Sequence, residues 1–278
     1  MNAESSLPGP GGGARGEHQN IARAALVLEA LAGAGRPGLR LTDVINETGL
    51  TKTVAHRFLG GLVANGMARL DRSSGRYFLG DRIFTWAVRG SDHFELAERV
   101  SPHLRALAVE LHDTVYFYQR RDDHAICLGR AEGDFPIKTL TLNIGDRRPL
   151  GAGSGSLAIV AYLPDEEIQR LTTEQAENYA TYHLTADRLR EDILLTRENG
   201  YALNVDRLIP GMSGIGIPIR TQAGEPVAAV SVVAISPRLA GDRRTEVARR
   251  LGGTIATIES ELHGVIEGTS STSFWRAG

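Results

Sequence analysis

The sequence predicts an α+β protein in two parts: an N-terminal winged helix-turn-helix and a C-terminal antiparallel sheet covered by helices. Three observations carry this reading. Residues 41–80 spell two short apolar-faced helices, a tight turn and a basic hairpin; from Thr114 the hydrophobic period changes from helical to two; and charge is unevenly divided. Residues 19–80 hold eight Arg or Lys against four acids, net about +4, while residues 81–278 carry about −5. A positive module on an acidic body suits a protein that meets nucleic acid with one end only.

Residues 1–18, rich in Gly, Pro and Ser, are expected to be a disordered tail. Helical spacing begins near Gln19 and runs through Ala22, Leu26, Leu28, Leu31 and Ala32 to a Gly/Pro break at 33–37. The next helix puts Leu41, Val44 and Ile45 on one face, with Thr42 able to cap it, Gly49 ending it and Leu50 as a buried turn residue. Thr51 can cap the helix that follows, in which Val54, Phe58 and Leu62 recur every four residues and are expected to face the core. The opposite stripe, Lys52, Thr53, His56, Arg57 and Gly60, is a basic and polar surface of the kind that enters a major groove. Asn65-Gly66 stops this helix. Strands at 67–70 and 77–79 then flank a turn at 71–75, putting Arg72 and Arg76 at a tip that can reach phosphates or the minor groove.

Residues 81–100 read as a linker helix bearing Ile83, Phe84, Trp86 and Ala87, with Trp86 packed between helices of its own chain or a partner's. The run from Phe94 through Leu96, Val100, Leu104, Leu107, Ala108 and Leu111 opens the second domain, whose body is 101–266, with a tail at 267–278. Strands are expected at 114–119, 124–128 and 137–142. A Gly-rich stretch at 151–156 leads into an apolar helix at 157–163, and another helix starts at 165. Thr185 caps a longer helix with Leu189, Ile193 and Leu194 on its core face, closed by Asn199-Gly200. Strands at 213–219 and 226–235 surround a turn at 221–224. A final helix at 242–266 repeats Val247, Leu251, Ile255, Ile258 and Leu262.

With 278 residues, 42% apolar and 23% charged, the chain has material for two cores. The absence of a long apolar run or an apolar leader points to the cytoplasm and to no membrane partner. The single cysteine, Cys127, excludes an internal disulfide and reads as a packed hydrophobe in a strand. The eight histidines lack metal-ligand spacing, so neither a metal nor a cofactor is expected. Gly153-Ser154-Gly155-Ser156 loosely fits a dinucleotide loop but follows Arg147-Arg148-Pro149-Leu150 rather than an apolar strand. Ser154, Ser156 and Ser213 all lie outside a Gly-x-Ser-x-Gly elbow, so catalysis is not expected. Two rival readings stay open: an enzyme built around the Gly155 region, and a winged helix that binds protein instead of DNA.

The segments Thr48-Gly49-Leu50-Thr51-Lys52-Thr53-Val54-Ala55-His56-Arg57-Phe58-Leu59, Arg76-Tyr77-Phe78-Leu79-Gly80, Gly200-Tyr201-Ala202-Leu203-Asn204 and Pro226-Val227-Ala228-Ala229-Val230-Ser231-Val232 occur in the order and spacing of one family. Over residues 19–265 the chain resembles the IclR family of bacterial transcription regulators. The resemblance implies a GAF-like effector domain behind the winged helix, a homodimer or tetramer on palindromic double-stranded DNA, a small metabolite as signal and, most often, repression. DNA contacts would come from Thr51, Lys52, Thr53, His56, Arg57, Arg72 and Arg76. The family's effector cleft falls on Ser154, Gly155, Asn204, Met212, Ser213, Gly214 and Ser231. The chain departs from the pattern at Ser156-Leu157, where many members have Lys after the Gly, at Asn204 in place of an acid, at Gly214 in place of a Cys and at Val233 in place of a hydroxyl. A pocket of Asn, Ser and backbone amides suits a carboxylate, so a small organic or aromatic acid is the expected effector.

Overall fold

The computed structural model describes residues 13–89 and 95–270. The chain divides into two compact units, 1–91 and 92–278.

In the first unit α1 (Gly13–Ala34) begins inside the stretch expected as a tail, of which residues 1–12 lie outside the described residues. Of the expected series Leu31 is buried and Leu28 packs against the core, while Ala22, Leu26 and Ala32 are exposed and Val27 takes the second fully buried position. α2 (Leu41–Thr48) is capped by Asp43, whose carboxylate accepts from the Arg40 amide at 2.8 Å, and not by Thr42. Gly49 then turns the chain at φ +66, a left-handed conformation that costs a β-carbon-bearing residue more. α3 (Lys52–Ala64) starts without a side-chain cap from Thr51. It buries Ala55, Leu59 and Leu62, whereas Val54 and Phe58 are half-buried. The small Ala55 occupies the innermost position between helices, which displaces the bulkier residues to the flanks. The hairpin β1 (Ala68–Asp71) and β2 (Arg76–Leu79) pairs Asp71 with Arg76, and a bridge from Leu39 to Tyr77 adds a third extended segment. α4 (Asp81–Arg89) covers the first half of the expected linker helix, residues 90–94 including Phe94 lie outside the described residues, and Phe84 and Trp86 are 72% and 47% exposed on the single chain.

In the second unit α5 (Glu95–Leu111) buries the whole expected stripe from Leu96 to Leu111. A six-stranded antiparallel sheet follows in the order β5-β4-β3-β8-β7-β6. Its strands are β3 (Thr114–Arg121), β4 (His124–Glu132), β5 (Arg147–Pro149), β6 (Ala202–Val205), β7 (Met212–Arg220) and β8 (Pro226–Ile235). One face packs Val115, Phe117, Ile215, Val230 and Val232 against α5 and α10 (Gly241–Glu261). The other packs Tyr116, Tyr118, Ala229 and Val233 against α6 (Ser154–Val160) and the segment of α7 (Asp165–Glu174), α8 (Ala176–Ala180) and α9 (Ala186–Asn199). Thr185 caps α9 by accepting from the Arg188 amide at 3.2 Å. On α9 Leu194 is exposed, and Asp192 and Thr196 take the buried positions beside Leu189 and Ile193. The final helix breaks at Leu262, and α11 (His263–Ser270) continues into part of the expected tail.

The expected strand at 137–142 is absent from the sheet. This segment satisfies its backbone through side chains instead: the Tyr116 hydroxyl donates to the Thr139 carbonyl at 2.7 Å and accepts from the Thr141 amide at 3.0 Å. Arg148 and Arg130 donate to the Thr141 and Leu142 carbonyls. With those groups occupied, the three-residue β5 becomes the sheet edge.

Candidate functional site

Two surfaces can carry function, one in each unit. On α3 the residues Thr51, Lys52, Thr53, His56, Arg57 and Gly60 are all exposed. Thr53, Arg57 and Gly60 point away from the row that buries Ala55, Leu59 and Leu62, while Lys52 and His56 border that row three residues before Ala55 and Leu59 and still stay in solvent. The Arg57 guanidinium lies 5.4 Å from the Phe58 ring centre, which steadies its stem without neutralising it.

The wing is fixed by Asp71. Its carboxylate accepts from the Ser73 amide at 3.0 Å and from the Ser73 and Ser74 hydroxyls at 2.7 and 2.6 Å, and these hydrogen bonds hold its pKa down at about 2. Arg72 stands exposed at the tip. Arg76 does not share its position: its guanidinium turns back to donate to the carbonyls of Gly38 at 2.9 Å and Pro37 at 3.4 Å. It fastens the hairpin to the loop before α2, so of the two wing arginines the structure leaves Arg72 for an outside partner.

In the second unit a narrow cleft opens beside α6. Ser154, Asn204, Met212, Ser213 and Gly214 line it, as expected from the sequence. Gly214 and Gly216 let the first turn of α6 approach β7: a β-carbon at 214 would stand 2.5 Å from Ser154 Oγ, and one at 216 would collide with the Ser154 carbonyl. Gly155 and Ser231 lie behind the wall. Gly155 is the bare spot against which the Tyr118 ring rests, and Ser231, fully buried, contacts the Tyr118 hydroxyl at 3.4 Å. Register explains this, since Ser231 faces Tyr116 on the neighbouring strand while Tyr118 reaches over it.

Sequence reasoning missed Tyr118, Thr141, Arg148, Leu208 and Ile209, all of which line the cleft. The available signal for Arg148 was strand alternation, which turns Arg147 to solvent and Arg148 inward. Burial raises the pKa of Tyr118, so its phenol stays protonated and serves as a neutral polar group. The same cause pushes Cys127 up to about 11, which leaves it a packed thiol. The loop 206–211 borders the cleft and is tied down twice. Asp206 accepts from the Gly211 amide at 2.9 Å and from the Ser236 hydroxyl, and Arg207 is clasped by the buried Asp192. Neither side chain is among the lining residues.

A winged helix-turn-helix with an outward basic face, carried by a chain whose second unit folds around a polar cleft, defines a DNA-binding protein with a sensory domain. The helix-turn-helix region matches the IclR helix-turn-helix domain over residues 20–72, and residues 89–259 match the C-terminal domain of the bacterial transcriptional regulator IclR. The chain therefore belongs to the IclR family of transcriptional regulators. It is 28% identical over 210 residues to the HTH-type transcriptional regulator KipR of Bacillus subtilis, covering 75% of this chain and 83% of that protein. It is 25% identical over 237 residues to the transcriptional repressor IclR of Escherichia coli, covering 84% and 86%. An IclR homologue from Microbacterium hydrocarbonoxydans, solved in complex with 4-hydroxybenzoate, shares the fold with a TM-score of 0.71 at 22% identity, covering 88% of this chain and 99% of that one.

Proposed function

We propose that the chain is a repressor whose hold on a palindromic operator is relaxed by a small organic or aromatic acid bound in the second unit. The observation that carries this is the pairing of two surfaces on one chain: exposed cations on α3 at groove-reading spacing, and a cleft in the other unit lined by polar groups without catalytic partners. Lys52, Thr53, His56 and Arg57 would read bases, with Thr51 and Arg72 on phosphates and Arg76 holding the wing in place. Ser154, Asn204, Met212, Ser213 and Gly214, joined by Tyr118 and Arg148, would surround the effector, with Gly155 and Ser231 supporting Tyr118.

A single module offers few base contacts, so a homodimer or a dimer of dimers is the expected binding form, and the exposed Phe84 and Trp86 on α4 suit burial against a second copy. Repression is supported by the name of the Escherichia coli relative, and an aromatic acid by the ligand of the Microbacterium homologue. Residues 81–100 would connect the DNA-binding part to an effector domain at 101–266. Among the described residues no helix is long and apolar enough to cross a membrane, in keeping with work on DNA in the cytoplasm. Binding rather than turnover is supported by the cleft chemistry, since its phenol is kept protonated and its cation is an arginine.

The test is a salt titration of the full chain on DNA from upstream of its own gene. Wild type is expected to bind with a steep salt dependence and Arg57→Ala to lose specific affinity. Full affinity in Arg57→Ala would remove α3 as the reading element, and no affinity in wild type at moderate salt would favour a protein-binding winged helix.

A further inference from the structure

The ligand cleft holds one formal charge. Arg148 lines it, and no other lining residue is acidic or basic. This half-buried guanidinium donates to the Thr141 carbonyl at 3.0 Å and has no carboxylate partner among the described residues. A second guanidinium nitrogen, Nη1, lies against the bare backbone of Gly153, where a β-carbon would come within 3.2 Å of it. Arg148 thus reaches the turn that presents Ser154. Ser154 and Asn204 are 6% and 5% exposed, both face the cleft, and neither side chain has a hydrogen-bond partner among the described residues.

The polar atoms of Ser154 and Asn204 are open to the cleft and free to bond a ligand, and a planar guanidinium is suited to a carboxylate that accepts two parallel bonds. The apolar part of the lining, Leu208, Ile209, Met212 and Val233, offers nothing to a second charge. We propose that Arg148 is the anion anchor of the cleft and that the cleft selects monocarboxylates with an apolar body over their neutral amides and over dicarboxylates. The carboxylate sits on the Arg148 fork with Ser154 and Asn204 closing its remaining acceptor sites, and the apolar body lies on the Leu208–Met212 side. This rests on the reading of the cleft as the effector site, and the neutral Asn204 in place of the family's acid leaves the Arg148 charge uncompensated by any lining carboxylate.

The experiment is thermal denaturation of the full chain with benzoate, 4-hydroxybenzoate and pyruvate, with the amide of each, and with phthalate, in wild type, Arg148→Ala and Arg148→Lys. At least one monocarboxylate is expected to raise the melting temperature at millimolar concentration. Its amide and phthalate should bind at least tenfold more weakly, Arg148→Ala should lose at least tenfold for the acid with no change for the amide, and Arg148→Lys should keep part of the preference. Equal stabilisation by acid and amide, no response to any acid, or an unaltered acid response in Arg148→Ala overturns the proposal. The acid–amide comparison in wild type decides the matter even if Arg148→Ala fails to fold. An amide that stabilises the chain and weakens its hold on DNA would leave the effector reading standing while removing the anchor; DNA affinity unmoved by every compound that binds would remove the effector reading itself.

Discussion

The two units use arginine in opposite ways. Among the described residues every ion pair lies between residues 95 and 270, and none in the winged-helix unit. In the ligand unit the buried Asp113 is gripped by Arg238 and Arg243 at 2.8 Å each, and the buried Asp192 by Arg207 and by Arg188 at 3.2 Å. In the winged-helix unit Arg57 and Arg72 keep their charge for something outside. Each unit also has exceptions, and one in each is instructive. Arg76 is an arginine of the wing hairpin spent on the fold, and Arg148 is an arginine of the second unit left over from it. The task of an arginine is read from what its scaffold has already paired with it.

Breaking a paired cluster should give the largest effect. Asp113→Ala leaves two guanidinium groups facing each other around an empty site, and the ligand unit should lose about 3–5 kcal/mol in urea denaturation. A loss below about 1 kcal/mol would mean that solvent already screens this cluster and that the contrast between the units is shallower than drawn.

The mirror experiment is Arg57→Ala. It should leave denaturation unchanged while operator affinity falls by about 1–3 kcal/mol, read as anisotropy at fixed salt. A stability change with intact affinity would move Arg57 into the structural class.

The two wing arginines sharpen the contrast within one hairpin. Arg76→Ala should cost about 1 kcal/mol of stability through its lost bonds to the Gly38 and Pro37 carbonyls. Arg72→Ala should leave stability alone and lower the slope of log affinity against log salt by about 1. Interchanged behaviour would reverse their assignment.

The smallest effect belongs to Asp71. Because its folded pKa is depressed to about 2, the order it gives the wing is present above the unfolded value and is lost only as pH falls through about 2. Its carboxyl resonance should titrate in that region, and an inflection near an ordinary aspartate value would show that the Ser73 and Ser74 bonds do not persist in solution.

Much of this was legible because it depends on local periodicity. The α5 stripe from Leu96 to Leu111, the α10 row from Val247 to Ile258, the Thr185 cap and the hairpin all follow from neighbours a few residues apart. The errors arose where a distant partner decides. A tyrosine hydroxyl on β3 takes the backbone groups of 139–141 out of the sheet, and Ala55 rather than Val54 meets the other helices of the first unit. In the cleft, Ser154, Asn204 and the 212–214 segment were named only by the family resemblance, and they fall among its lining residues. Ser231 was misplaced because its burial behind Tyr118 is a matter of register between β3 and β8. Arg148 was passed over because Arg147-Arg148 looks like a solvated basic pair until the short β5 separates the two faces.

The central claim is that an anion held by Arg148 in one unit alters what the exposed cations of the other can hold. It is tested most directly by measuring the affinity of the full chain for its upstream DNA with and without a saturating monocarboxylate, in wild type and in Arg148→Ala. The account predicts an affinity at least tenfold lower with the acid in wild type and no change in Arg148→Ala. Equal affinity with and without the acid in wild type, or the same response in both proteins, would contradict it.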